Sequence, residues 1–210
     1  MRIIPLNGEW EFIPGVLLGD DLRSPASSGD EPSYVYVPGT WSPVTGSASG
    51  YGSYRLRILM SPGQERSFAI RIPGMVSSSA LYVNGKLLAN AGWPGPNEAQ
   101  TVSRDVPYSG YFVSGGGEIE IIIQVANYFE GVDRGIVLPL YFGAAESVNK
   151  ASSISIGSQL VVCIVLIMHF IYAVVLFCIG VQVKSLFYFS ILVLSAIFAT
   201  LADDDKLLLD

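Results

Sequence analysis

The sequence predicts an all-β sandwich or jelly roll over residues 1–148, followed by transmembrane α-helices. Before residue 150 several segments alternate apolar and polar side chains, which is typical of half-buried β-strands. From Ala151 to Val183 the chain contains no Asp, Glu, Lys or Arg, whereas residues 1–150 hold ten of the twelve basic and fourteen of the eighteen acidic residues. The chain therefore joins two chemically different parts near residue 150.

The period of two is clearest in three segments, in each of which every second residue is apolar: 54–60, 68–72 and 118–125. One face of a half-buried strand lies in the core and the other in solvent, so the apolar rows are expected to be buried. The intervening residues, such as Arg55, Ile122 and Gln124, are expected to face solvent.

Two further features complete the predicted strands. The pair Asn84-Gly85 lies between apolar runs and predicts a hairpin, because a type I′ turn needs positive φ angles at both central residues. Residues 136–142 predict a closing strand. No stretch before residue 150 shows a useful helical period, and short strands separated by Gly, Pro and Ser indicate a sandwich or jelly roll.

The second part predicts helices that cross a lipid bilayer. A span needs about 20 apolar residues, and the sequence offers a first transmembrane helix over 152–181 and a second over 185–202. Lys184 is the charged residue between them, and the positive-inside rule places it in the cytoplasm. We therefore expect a multi-pass protein of the cell membrane, with residues 1–148 extracellular or periplasmic.

Composition excludes several classes of function. Residues 1–150 carry ten basic against fourteen acidic side chains, with no basic run, which argues against nucleic acid. The single histidine, His169, lies in the first predicted helix, so neither a Ser/His/Asp site nor a Cys/His metal cluster is expected. The favoured interpretation of His169 is a neutral side chain bonded to a neighbouring helix, rather than a functional group. No catalytic residue, metal or cofactor is predicted.

The candidate ligand-binding residues are aromatic and charged side chains in predicted loops or at outward strand positions: Trp93, Arg55, Arg57, Tyr51, Glu130, Asp133 and Arg134. Trp93 lies in a turn-rich stretch, 92–96, and suits packing and ligand contact equally. For Arg55 and Arg57, covering the sheet is favoured over holding a carboxylate or a sugar hydroxyl. The loop 128–135, which carries the last three candidates, is interpreted as solvated rather than as a calcium site.

Other aromatic residues are assigned to the core. Tyr54 belongs to an inward row, and packing is favoured over ligand contact for Trp10 and Trp41.

Five short motifs in the first part are familiar in their order: 6–12 (LNGEWEF), 37–41 (VPGTW), 50–56 (GYGSYRL), 81–85 (LYVNG) and 125–127 (VAN). This order resembles the galactose-binding-like jelly roll, as in the N-terminal sugar-binding domain of β-galactosidase-type glycoside hydrolases. The resemblance implies a β-sandwich without the catalytic residues, which in those enzymes belong to another domain.

A jelly roll of this kind joined to membrane helices is similar to bacterial seven-transmembrane receptors with diverse intracellular signalling modules. That resemblance implies an outer ligand-binding domain, seven helices, and an output domain such as a histidine kinase, a cyclase or a phosphatase. The later helices and the output domain are missing from the sequence, and no signal-peptide pattern follows Met1. We therefore expect a piece of a longer gene product.

The leading hypothesis is the sensory front end of a membrane receptor that binds a carbohydrate or another small extracellular ligand. The alternatives are a membrane-anchored carbohydrate-binding module without signalling, an accessory domain of a glycoside hydrolase, and a purely structural domain. The lipid bilayer is the expected partner in each membrane-bound case, and a homodimer is left open.

Overall fold

The computed structural model describes residues 3–19, 33–75, 77–129, 135–179 and 184–202. The chain divides into two compact units, Met1–Val148 and Asn149–Asp210. The first unit is built mostly of antiparallel β-sheet, and the second contains two long helices.

The strands of the first unit form two sheets. Their bounds are β1 Ile4–Pro5, β2 Gly8–Pro14, β3 Ser33–Val37, β4 Gly50–Met60, β5 Arg66–Ile72, β6 Ser78–Val83, β7 Lys86–Trp93, β8 Val102–Ser103, β9 Tyr108–Ser114, β10 Gly117–Asn127 and β11 Tyr141–Ala144. One sheet has the order β3-β2-β4-β10-β6-β7-β8 and the other β1-β11-β5-β9. A short helix, α1 (Ser42–Thr45), and a 3₁₀ turn over Glu98–Gln100 lie in the connections.

The main core lies between the two sheets and contains the apolar rows that the sequence predicts. Trp10, Trp41 and Tyr54 are each 1% exposed, which confirms their assignment to the core. The Phe12 ring lies 4.6 Å from that of Tyr54 and 5.7 Å from that of Trp41. Gly52 makes this packing possible, since an added Cβ there would lie 2.7 Å from the Phe12 ring.

The other face of the seven-stranded sheet is partly covered, contrary to the prediction that it faces solvent. Ile122 is 1% and Gln124 7% exposed. The segment after β2 lies over Ile122 and Gln124. Two hydrogen bonds hold it there: the amide N–H of Leu18 donates to Ser53 Oγ at 2.9 Å, and Gln124 Nε2 donates to the Leu18 carbonyl at 2.7 Å. Leu18 and Ile122 thereby join a second apolar cluster, with Ile13, Ala80 and Tyr82.

The predicted hairpin is present, since β6 and β7 are joined at Asn84 (φ 49°) and Gly85 (φ 80°). The closing strand is shorter than predicted: β11 begins at Tyr141, not at residue 136. Pro139 has no N–H with which to pair in a strand. The stretch before β11 is nonetheless held in place, because the Ile136 carbonyl accepts from the Gly39 N–H at 2.8 Å.

Tyr108, which is partly buried against the core, joins the two sheets. Its hydroxyl lies 2.9 Å from Ser79 Oγ, so a side chain of β9 bonds to one of β6 in the opposite sheet. Burial raises the pKa of the Tyr108 hydroxyl well above its ordinary value, and the hydrogen bond between Tyr108 and Ser79 opposes that shift only in part.

The second unit contains α2 (Ala145–Cys178) and α3 (Lys184–Ala202). Both are long and apolar enough to cross a membrane, judged by length and composition. The helical backbone of α2 starts at Ala145, ahead of the predicted transmembrane segment from residue 152, and Glu146 lies in its first turn, where an acidic side chain is favourable. The predicted end of the first helix at residue 181 lies outside the described residues.

α2 and α3 contact each other through apolar side chains and a polar bond. Gln159 Nε2 donates to the Thr200 carbonyl. An apolar cavity of about 200 Å³ lies between the helices, with a lining of Phe170, Val174, Phe177, Phe187, Ser190, Ile191 and Leu194. His169 Nδ1 lies 2.7 Å from the Val165 carbonyl of its own helix.

The burial of Tyr108 predicts a loss of stability at high pH. Below pH ~10 the tyrosine is neutral in both states, whereas at higher pH only the unfolded state releases the proton, so the free energy of unfolding falls by up to about 1.4 kcal/mol per pH unit. Tyr108→Phe removes this contribution, and the stability difference between wild type and variant should shrink between pH 9 and 11. Urea unfolding followed by tryptophan fluorescence measures it.

Ser79→Ala is the matched control, because it removes the same hydrogen bond but keeps the ionisable hydroxyl. If the stability of the Tyr108→Phe variant falls with pH as steeply as that of the wild type, the loss of stability at high pH does not come from Tyr108.

Candidate functional site

Arg55 and Arg57 lie on the outer face of β4, as predicted, in the half of the seven-stranded sheet that the described residues 15–19 do not cover. Strand register sets their neighbours: Glu11 of β2 lies opposite Arg55, and Glu120 of β10 lies opposite Arg57. Because side chains of neighbouring strands meet at such positions, the three strands bring acidic and basic groups together on one face.

The ion pair between Arg55 and Glu11 is the strongest of this group. Arg55 Nε and Nη2 each donate to one Glu11 carboxylate oxygen at 2.6 Å, a two-pronged arrangement that fixes both side chains. The bond to Glu11 raises the pKa of Arg55, against the opposing effect of partial burial. Arg55 Nη1 also lies 3.9 Å from Glu120 Oε1.

Arg57 is held more loosely. Its Nε lies 3.7 Å from Glu118 Oε1 and 3.8 Å from Glu120 Oε1, and its side chain is 54% exposed, against 23% for Arg55. The two arginines therefore differ: one is fixed by hydrogen bonds, and the other is a solvated charge near two carboxylates.

Two tyrosines that are not among the predicted site residues lie beside this charged group. Tyr34 and Tyr36 of β3 are 68% and 67% exposed. Tyr34 lies opposite Glu11, and Tyr36 lies opposite Glu9. The signal was present in the sequence, because Tyr34 and Tyr36 alternate with Val35 and therefore point away from the core. We call Tyr34, Tyr36, Glu9, Glu11 and Arg55 the tyrosine–glutamate platform.

Trp93 and Tyr51 lie elsewhere, at the end of the seven-stranded sheet where β4 starts and β7 and β10 finish. Trp93 is the last residue of β7 and pairs with Val102, so it ends a strand rather than lying in a turn-rich loop as predicted. It is 50% exposed. Tyr51 lies opposite Ala126 near the end of β10.

The chain after β10 closes this end of the sheet. The Tyr128 hydroxyl donates to the Gly95 carbonyl at 3.0 Å, and Asn127 Nδ2 donates to the Ala48 carbonyl at the same distance. Partial burial and the neighbouring Tyr51 raise the pKa of Tyr128. Asn127 Oδ1 also accepts from the Phe129 N–H at 3.3 Å.

The structure thus divides the predicted site residues into two groups on different parts of the sheet. Arg55 and Arg57 belong to the charged face, and Trp93 and Tyr51 to the end of the sheet. The remaining candidates, Glu130, Asp133 and Arg134, lie outside the described residues.

The charged face is suited to binding. Arg55 and Glu11 are fixed donors and acceptors, and the exposed tyrosine rings beside them offer flat apolar surfaces with a polar end. Within the described ranges no group of three or more His, Cys, Asp or Glu side chains is placed to hold a metal ion.

Comparison with known proteins extends the description of the fold. No family model matches the chain, and no curated protein sequence matches it. Among solved structures, a glycosyl hydrolase family 2 member from Bacteroides cellulosilyticus is similar, with 19% identity and a TM-score of 0.50 over 68% of this chain and 20% of that one. A putative β-galactosidase from Bacteroides fragilis is 21% identical with a TM-score of 0.47, covering 67% of this chain and 23% of that one.

A β-D-glucuronidase from Dictyoglomus thermophilum gives 18% identity and a TM-score of 0.47 over 67% of this chain and 27% of that one. The chain thus spans between about a fifth and a quarter of the length of these enzymes. At such identities the likeness to the Bacteroides cellulosilyticus protein concerns the fold alone. The first unit is a β-sandwich. This architecture agrees with the β-sandwich that the resemblance carried by the five sequence motifs implies.

The different geometry of the two arginines predicts different effects on stability. Arg55→Gln removes two charge-assisted hydrogen bonds and leaves the half-buried Glu11 without its partner, so we expect the free energy of unfolding to fall by about 1–3 kcal/mol. Arg57→Gln removes a solvated charge and should cost less than about 1 kcal/mol. Urea unfolding at neutral pH compares them, and equal losses would show that the Arg55–Glu11 pair is not the tighter one.

Proposed function

We propose that this chain is the sensory front end of a membrane signalling receptor, with the β-sandwich outside the membrane as a ligand-binding domain. The observation that carries the proposal is that one chain combines a β-sandwich with two helices long and apolar enough to span a bilayer. The ligand class we propose is a carbohydrate, because a solved structure with a similar fold is a glycosyl hydrolase family 2 member.

The proposed mechanism is a shift between two arrangements of the membrane helices. A ligand moves such an equilibrium only by binding one arrangement more tightly than the other. In the proposed receptor, α2 and α3 pass that bias to an output domain in the cytoplasm, such as a histidine kinase. The contacts between α2 and α3 are mainly apolar, and the hydrogen bond from Gln159 to the Thr200 carbonyl adds a contact whose geometry depends on how the two helices are aligned.

A second candidate is a membrane-anchored carbohydrate-binding module without signalling. The same sandwich and the same apolar helices favour it, because an anchor needs only a span and a binding surface. An accessory domain of a glycoside hydrolase is supported by the likeness in fold, but it leaves the two apolar helices without a role.

The proposed receptor predicts that the sandwich lies outside the cell membrane and that Lys184 lies on the cytoplasmic side. In a background with Cys163→Ala and Cys178→Ala, Gln64→Cys places one thiol in the exposed connection between β4 and β5, and Lys184→Cys places one at the start of α3. When the protein is expressed from its own gene, a membrane-impermeant maleimide should label the Gln64→Cys variant in intact cells.

The Lys184→Cys variant is the matched control, and it should be labelled only after the membrane is permeabilised. The reverse pattern would place the sandwich in the cytoplasm and exclude an extracellular sensor.

The receptor and the anchored module differ in whether a bound ligand changes the separation of α2 and α3. Spin labels on the exposed Cys178 and on Tyr188→Cys, with Cys163→Ala, report the separation of α2 and α3 in lipid nanodiscs. For a receptor, a mixture of cellohexaose, mannohexaose and maltohexaose should shift the distribution of distances between the two labels, as measured by pulsed electron–electron double resonance. Glycerol at equal osmolality is the control, and an unchanged distribution despite saccharide binding would favour the anchored module.

A further inference from the structure

We propose that the tyrosine–glutamate platform binds a neutral oligosaccharide. This inference rests on the proposed ligand-binding function, and it assigns the site and the class of ligand. The platform consists of Tyr34, Tyr36, Glu9, Glu11 and Arg55 on the part of the seven-stranded sheet that the described residues 15–19 do not cover.

The platform repeats one unit along two neighbouring strands. Each unit is a tyrosine of β3 with a glutamate of β2 directly opposite: Tyr34 with Glu11, and Tyr36 with Glu9. Opposite residues in an antiparallel pair have Cβ atoms about 5 Å apart, and residues two apart on one strand are separated by about 7 Å. The surface therefore offers two similar subsites in a row, which suits a ligand made of repeated units.

Each unit offers the two kinds of contact that a sugar ring needs. The apolar face of a pyranose, formed by its C–H groups, packs on a flat aromatic ring, and its hydroxyls bond to fixed polar groups nearby. Tyr34 and Tyr36 expose about two thirds of their surface, at 68% and 67%. Within the described residues neither phenolic hydroxyl has a hydrogen-bond partner, so both rings are available to a ligand.

The glutamates retain acceptors for sugar hydroxyls. A carboxylate has about four acceptor sites, and Arg55 uses two of those on Glu11. Glu9 is exposed and has no ion pair among the residues the structure describes. Because the Arg55 fork holds Glu11 in one orientation before any ligand arrives, binding loses little side-chain entropy at that position.

The local charge favours a neutral ligand over an acidic one. Among the described residues, this face carries four carboxylates, of Glu9, Glu11, Glu118 and Glu120, against the two guanidinium groups of Arg55 and Arg57, a net charge of −2. Both guanidinium groups already lie close to carboxylates. An anionic sugar would be repelled by this surface, whereas uncharged hydroxyls bond to it without that penalty.

Isothermal titration of the full chain in lipid nanodiscs tests the site, since sugar-headed detergents would compete. The probes are cellohexaose, mannohexaose and maltohexaose, with hexagalacturonate as the acidic comparison and hexalysine as a cationic peptide. We expect at least one neutral hexasaccharide to bind, and more tightly than hexagalacturonate. Tyr34→Ser with Tyr36→Ser should weaken it by about 10- to 100-fold, as the loss of two ring contacts implies.

Tyr111→Ser is the matched control, because Tyr111 is a half-exposed tyrosine of β9 in the other sheet. It should leave saccharide affinity unchanged, and thermal unfolding of every variant verifies folding. Equal affinity of the wild type and the double variant would overturn the platform but leave the proposed sensing function standing. Failure of all three neutral hexasaccharides to bind the folded wild type would overturn the ligand class. Binding of hexalysine alone would assign this face to a protein partner instead.

Discussion

The register between β4 and β10 is the constraint on which the rest of the sandwich depends. The two strands pair without interruption from Gly50 opposite Asn127 to Met60 opposite Gly117. Because side chains alternate between faces, a slip of one residue would exchange the buried row for the exposed one. The same register that buries Tyr54 places Arg55 on the opposite face, where the pairing of β2 with β4 sets Glu11 beside it. The core and the charged surface therefore both depend on the register of β4 with its neighbours.

The outer face of this sheet serves two purposes because only part of it is covered. Ser53 and Gln124 bond to the segment after β2, so that Leu18 packs over Ile122. Buried polar groups need such partners, and here those partners also anchor the covering segment. Where the cover ends, charged and aromatic side chains are exposed. The covered part thus limits the extent of the tyrosine–glutamate platform.

Several polar side chains of the two apolar helices bond to the backbone of their own helix. In a hydrocarbon layer polar groups must be satisfied from within the protein, and several side chains of the second unit obey this. Ser190 Oγ donates to the Leu186 carbonyl and Thr200 Oγ1 to the Ala196 carbonyl, each at 2.9 Å and four residues back. His169 likewise bonds to Val165 of its own turn. This internal pairing is compatible with spanning a bilayer and with the membrane role that we propose.

Local patterns in the sequence determined the strand rows 54–60 and 68–72, the hairpin at Asn84 and the two apolar helices, because each depends on period, length or turn chemistry within a short stretch. They also determined that Arg55 and Arg57 point outward. Only the tertiary structure decided that Ile122 and Gln124 are buried, that Trp93 ends a strand, and that Tyr34 and Tyr36 lie beside Glu11 and Glu9. The physical reason is that these features depend on contacts between residues distant in the chain: a local period assigns a side chain to a face, but strand order and register decide what lies next to it.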